Sequence, residues 1–184
     1  MSVGSQQSRT RKLVILAMMV ALAVVLSVLK TPPLFAGGFL QYDASGAIVL
    51  LAALLYGPGE GILVALLTAA IRLLFPEGGG WVGVLMDAIA YLSLVIPAGW
   101  LFQRLRKRNG LNLIALVAGI LSMVAVMIVA NIILTPPLWG IPRPQVIAWI
   151  VPAFLPFNLL KAGANSVLAF ILFQALDRLV FSRS

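Results

Sequence analysis

An all-α integral membrane protein of six transmembrane helices, with both termini in the cytoplasm, is the fold this sequence predicts. Composition supplies the class. Of 184 residues, 62% are hydrophobic and only 10% are charged, and the mean hydropathy is +1.10. Soluble domains carry about 25% charged residues. The spacing of apolar segments supplies the helix count, and the placement of basic residues supplies the orientation.

The segments follow in order, judged against the roughly 17–25 apolar residues needed to cross a bilayer. The first runs from Leu13 to Leu29 behind Arg9, Arg11 and Lys12. No small-residue cleavage site follows it, so it reads as a retained helix and not a signal peptide. The second, Ser45 to Tyr56, is short and must be tilted, partly buried or extended by its flanks. Gly57-Pro58-Gly59 turns the chain tightly into the third, Gly61 to Phe75. The fourth covers Trp81 to Phe102 and stops at the basic run Arg104-Leu105-Arg106-Lys107-Arg108. The fifth covers Leu113 to Leu134, and the sixth Pro152 to Leu176. Together they make one membrane domain spanning residues 1–184.

An even number of crossings puts both termini on one side. Arg9, Arg11, Lys12, the run from Arg104 to Arg108, Arg178 and Arg183 gather there, whereas Lys30 and Arg143 fall on the other. The positive-inside rule makes the first side cytoplasmic and places the chain in the cell membrane. The net charge of +8 is therefore a topology signal and not a groove for nucleic acid.

Three connections face outward: Lys30 to Ala44, Pro76 to Gly80, and Thr135 to Val151. Pro32-Pro33 stiffens the first; Pro136-Pro137, Pro142 and Pro144 stiffen the third. They carry Phe35, Phe39, Tyr42, Trp139 and Trp149. These aromatics fit either an interfacial belt or a lid that stacks on a flat ligand. The two halves of the chain show no repeat of transporter type, which argues against a self-sufficient inverted-repeat carrier.

The residue inventory disfavours an enzyme. The chain has no cysteine and no histidine, which removes thiolate chemistry, haem ligation and the usual zinc sites. Asp43, Glu60, Glu77, Asp87 and Asp177 are not spaced to share a helix face. Ser166 lies five positions after Lys161 and points elsewhere. No Walker A or G-x-G-x-x-G stretch is present, so the familiar nucleotide loops are missing.

The polar residues inside apolar segments are more informative. Asn158, Lys161 and Asn165 sit at i, i+3 and i+7, on one face of the sixth helix. A lysine in lipid costs about 2.5–3.5 kcal/mol on insertion scales, so such a stripe faces a cavity or another helix. With Asn131 near the outer end of the fifth helix, it forms the floor of a small-molecule site in the outward half. A purely structural network between helices is the competing reading. Arg72 sits where it can snorkel to the outer interface, and Asp87 is placed to pair with Arg72 or Lys161. In the first helix, Ala17-Met18-Met19-Val20-Ala21 sets small residues four apart, a spacing that lets another helix approach closely.

Several blocks together resemble the S components, the substrate-binding subunits of energy-coupling factor (ECF) vitamin transporters, most closely the riboflavin-specific kind. The blocks are Tyr42-Asp43-Ala44-Ser45, Leu55-Tyr56-Gly57-Pro58, Gly79-Gly80-Trp81-Val82-Gly83, and Asn131 with Thr135-Pro136. The most specific is Pro152-Ala153-Phe154-Leu155-Pro156-Phe157-Asn158-Leu159-Leu160-Lys161-Ala162-Gly163-Ala164-Asn165-Ser166. The resemblance covers nearly the whole chain.

It implies high-affinity binding of riboflavin as transported cargo, with no resident cofactor. Asn131, Asn158 and Lys161 match positions that hydrogen-bond the ring or ribityl chain, and Asn165 continues that face. Asp43, Tyr42, Phe39 and Trp81 would complete the site. Ala17 and Ala21 would dock a transmembrane coupling subunit, and two ATPase subunits would supply energy. Riboflavin-type members often carry a second acidic residue where Gly46 stands, a basic residue near Thr68 and an asparagine where Asp87 stands. These departures bear on which vitamin is bound. A pantothenate-, pyridoxine-, folate- or queuosine-type S component is the alternative, with a stand-alone channel or structural membrane protein behind it.

Overall fold

The computed structural model describes residues 3–34, 40–75, 79–105 and 112–181. Phe35, Phe39, Glu77, Arg106, Lys107, Arg108 and Arg183 lie outside that description. Every described element is helical: α1 (Val3–Val28), α2 (Ser45–Tyr56), α3 (Pro58–Arg72), α4 (Gly80–Leu105), α5 (Asn112–Trp139), α6 (Arg143–Ala148), a π-helical turn (Ile150–Phe154) and α7 (Leu155–Phe181). Four stretches are long and apolar enough to cross a membrane: Arg9–Val28, Gly80–Leu105, Asn112–Trp139 and Ile150–Leu176.

The shortest apolar helix sits at the centre. Twelve residues of α2 reach only about 18 Å, well short of the roughly 30 Å hydrocarbon core. Every residue from Ser45 to Leu54 is buried, and α2 touches α1, α3, α4 and α7. A helix apolar on all sides belongs where protein surrounds it. Of the three options open for this segment, burial is the one realised.

Small residues allow this close packing, as expected where lipid supplies no hydrophobic drive between helices. A Cβ at Gly61 would lie 2.6 Å from Ala53 Cβ and 2.5 Å from Val95 Cγ1, and one at Gly119 2.7 Å from Ala98 Cβ. Gly57 makes the break between α2 and α3 with φ at 116°, in the left-handed region that glycine tolerates. Pro58 then opens α3 at its first turn, three residues before the expected start.

The stretch from Thr135 to Val151, expected as a connection, is largely helical. α5 continues through Pro136 and Pro137 to Trp139. The Gly140 N–H closes its last turn on the Pro136 carbonyl at 3.0 Å. Pro136 and Pro137 have no N–H to donate to the Ile132 and Ile133 carbonyls, so the helix runs through them at the cost of two bonds near its end. After α6, the Ala153 and Phe154 N–H groups both donate to the Trp149 carbonyl at 3.0 Å. Pro152 and Pro156 contribute no N–H here, and the turn between them widens to the π form. Phe154 is fully buried there, packed with Leu40, Val146, Ala153 and Phe157 in a small outer core.

Candidate functional site

The segment entering α2 is stitched to itself before it meets the helices. The Thr31 N–H donates to the Tyr42 carbonyl at 2.9 Å, and the Tyr42 N–H donates to Thr31 Oγ1 at 3.0 Å. Asp43 then accepts the Ser45 N–H at 3.1 Å, an Asx turn that leads into α2. The Ser45 hydroxyl also bonds the Asp43 carboxylate and the Tyr91 hydroxyl of α4. Asp43 is 1% exposed, so its charge needs partners.

Lys161 of α7 provides one. Its ammonium lies 3.1 Å from Asp43 Oδ2 and 2.7 Å from Asp87 Oδ1. Arg72, on the last turn of α3, holds the other Asp87 oxygen at 2.7 Å. Asp87, placed by sequence to pair with Arg72 or Lys161, pairs with both. Two carboxylates and two cations from four parts of the chain thus form a charge-balanced cluster. A buried charge set of this kind is tolerable because each member is paired and hydrogen-bonded.

The cluster floors a cavity of about 80 Å³. Asp87 and Lys161 line it beside Asn131 of α5 and Asn158 of α7. Gly83, Met86 and Ala90 of α4, Met127 and Trp139 of α5, and Phe157 of α7 make the apolar wall. Lys30, Leu40 and Gln41 belong to the connection between α1 and α2 and complete the lining together with Gly79. Both asparagines bond back to their own helices. Asn131 Nδ2 donates to the Met127 carbonyl and Asn158 Nδ2 to the Phe154 carbonyl, each at 2.7 Å. Thr135 Oγ1 donates to Asn131 Oδ1 at 3.1 Å. An amide has two N–H donors and two carbonyl lone pairs, so each keeps capacity for a ligand.

The sequence-derived candidates separate into groups. Asn131, Asn158 and Lys161 come together on the cavity wall. Asn165, Asp43 and Tyr42 stand behind it. The Tyr42 hydroxyl donates to Asn165 Oδ1 at 3.2 Å, and a Cβ at Gly46 would lie 2.6 Å from Asn165 Nδ2. Burial, and then the neighbouring Asp43 charge, push the Tyr42 phenol up from its usual value, against the opposing effect of Lys161. It therefore stays a donor at neutral pH. Trp81 is 57% exposed and is not among the lining side chains. Phe39 lies outside the described residues. Ala17 and Ala21 point outward from α1 beside exposed Val14, Met18 and Val25, whereas Leu16, Val20 and Ala23 face the core.

Sequence reasoning assigned no site role to Tyr91, Ser45, Met86 or Met127. A hydroxyl or a methionine in an apolar run carries no signal by itself. Asp87 and Arg72 did carry one, because a charge inside a span is a functional-site flag.

Residues 11–173 match the family described as ECF transporter, substrate-specific component. The riboflavin transporter FmnP of Bacillus subtilis (strain 168) is 28% identical over 174 residues, covering 90% of this chain and 91% of the relative. The riboflavin transporter RibU of Staphylococcus aureus (strain TCH60) is 28% identical over 176 residues, 91% of each. A solved structure of the S component of a bacterial ECF transporter superposes with a TM-score of 0.81 at 28% identity, covering 96% of this chain and 99% of that one.

Proposed function

We infer that this chain, which belongs to the substrate-specific components of ECF transporters, binds riboflavin at the extracellular side of the cell membrane and serves its uptake. The observation that carries this reading is the cavity itself. It joins amides and an ammonium on its floor to methionine and aromatic walls. A flat heterocycle gains most of its affinity from such walls, while a few hydrogen bonds orient it. Asn131, Asn158 and Lys161 make those bonds, and Asp43, Tyr42 and Asn165 hold the floor in place. The cavity's roughly 80 Å³ is below the roughly 300 Å³ of a typical ligand pocket. The cavity must therefore widen to admit the vitamin.

In this reading the chain crosses the membrane six times with both termini in the cytoplasm; α3, and α2 lengthened by its flanks and shielded from lipid by its neighbours, complete the count. It is a single membrane domain without an ATPase of its own. A transmembrane coupling subunit docks on α1 at Ala17 and Ala21, and two ATPase subunits drive transport. Riboflavin is cargo, and no resident cofactor takes part.

The test is an absorbance and fluorescence spectrum of protein purified in mild detergent, followed by a riboflavin quenching titration. Copurified flavin or saturable quenching in the nanomolar range is the expected result. A colourless protein indifferent to riboflavin would overturn the ligand and point to an S component for another vitamin.

A further inference from the structure

The geometry points to Arg72 as a positioning residue for ligand recognition: it acts on the cavity floor through Asp87, which in turn fixes the Lys161 ammonium. The inference rests on the cavity being the vitamin site. Arg72 does not line that cavity and is 6% exposed at the end of α3. A basic residue there would ordinarily snorkel to the interface. Instead its guanidinium turns inward and donates to Asp87 Oδ2 at 2.7 Å.

Asp87 then offers its other oxygen, Oδ1, to Lys161 at 2.7 Å. Held by a single cation, a carboxylate on this helix could rotate, carrying the ammonium with it. Held by Arg72 on one oxygen, it presents the other in one place. Lys161 is therefore aimed by two carboxylates, Asp43 at 3.1 Å and Asp87 at 2.7 Å, each of which is itself held by a further side chain. For Asp43 those side chains are Ser45 and Tyr91; for Asp87 it is Arg72.

Charge balance makes the same point. With Asp43, Asp87, Lys161 and Arg72 present the cluster is neutral. Without Arg72 it carries a net negative charge in apolar surroundings, and the remaining cation must be shared differently. Removing Arg72 and the Asp87 charge together leaves Lys161 with Asp43, again neutral. An effect that travels through Asp87 must vanish when Asp87 can no longer carry it, so the two substitutions are non-additive.

The experiment is a double-mutant cycle of Arg72→Gln and Asp87→Asn, with Arg72→Lys as the conservative variant. Riboflavin quenching on detergent-purified protein gives the Kd of each. Arg72→Gln is expected to raise Kd by about tenfold in the native background and by less than about twofold in Asp87→Asn. Arg72→Lys, which folds if charge alone is needed there, recovers most of the affinity. An equal change in both backgrounds, or none in the native one, overturns the inference.

A second readout needs no ligand. Acetylation of Lys161, followed by mass spectrometry of unliganded protein, is expected to slow severalfold in Arg72→Gln, where two carboxylates hold the ammonium with no competing cation. The extra effect of Arg72→Gln is expected to disappear in the Asp87→Asn background. Unchanged labelling overturns the positioning role even if riboflavin proves to be the wrong vitamin. Absent quenching in the native protein, with the labelling pattern as expected, faults only the assignment of the ligand.

Discussion

Lys161 and Asp43 stand 118 positions apart in the chain and meet at 3.1 Å between Nζ and Oδ2. That pair ties α7 to the segment entering α2, beneath a cavity whose wall Lys161 also lines. One side chain thus belongs to the architecture and to the site at once. Lys161 lines a cavity and also joins a network between helices, the two placements weighed for the polar stripe.

Breaking this pair should be felt in stability. Asp43→Leu leaves the Lys161 ammonium with Asp87 alone and releases Ser45 and Tyr91. Removing one member of a buried pair costs about 3–5 kcal/mol, and the retained Asp87 places the loss near the lower end. Thermal unfolding in detergent is expected to show a clear fall in melting temperature for Asp43→Leu. An unchanged value would mean that the pair contributes nothing to the fold.

The amides should affect affinity more than folding. Asn158→Ala removes a cavity-wall hydrogen-bonding group and is expected to weaken riboflavin binding by about tenfold, the worth of one well-made bond. Asn131→Ala should act in the same direction. Both variants are expected to purify as monodisperse protein, and a quenching titration reads the change.

Gly46 is a steric test of the layer behind the floor. A Cβ there would meet Asn165 Nδ2 at 2.6 Å and Tyr91 Cε1 at 3.3 Å. Gly46→Val forces Asn165 away from the Tyr42 hydroxyl, at a cost of about 1–3 kcal/mol for overpacking. Lower thermal stability together with weaker riboflavin binding is the expected outcome. Normal values for both would show that α2 and α7 separate easily.

Tyr42 predicts an alkaline effect. Its phenol is pushed above the usual 10.0 in the folded protein, by burial first and by Asp43 second. A raised folded value means that the folded state holds the proton more tightly. The associated stability is fully present below about pH 10 and is lost as pH rises through the folded value. The melting temperature of the native protein should therefore fall more steeply above pH 10 than that of Tyr42→Phe. Parallel curves would remove Tyr42 from the account.

Substitutions on the outward face of α1 test whether binding and transport can be separated. Ala17→Leu or Ala21→Leu adds bulk to exposed positions outside the cavity lining. Riboflavin affinity in detergent is expected to hold while uptake in cells expressing the whole transporter falls. Full uptake by both variants would place the coupling subunit elsewhere.

Much of this protein is legible in one dimension. Hydropathy adds up along the chain, so the apolar segments and the membrane class follow from the sequence alone. Helix register is local, so Asn158, Lys161 and Asn165 on one face follow as well. Of these, Lys161 and Asn158 reach the cavity wall while Asn165 packs behind against Gly46, a division that depends on which helix lies opposite. Trp81, plausible as a wall residue from its position at the head of α4, instead faces outward.

Tertiary structure alone decided three things. It buried α2 on every side, because a short helix apolar all round is stable where other helices surround it. It ran α5 through Pro136 and Pro137, because packing of Leu134, Leu138 and Trp139 against the core offsets the bonds those prolines cannot make. It also joined Arg72, Asp87, Lys161 and Asp43. Charges on separate elements reveal nothing of their partners until packing makes those elements neighbours, and apolar surroundings then compel every buried charge to find one.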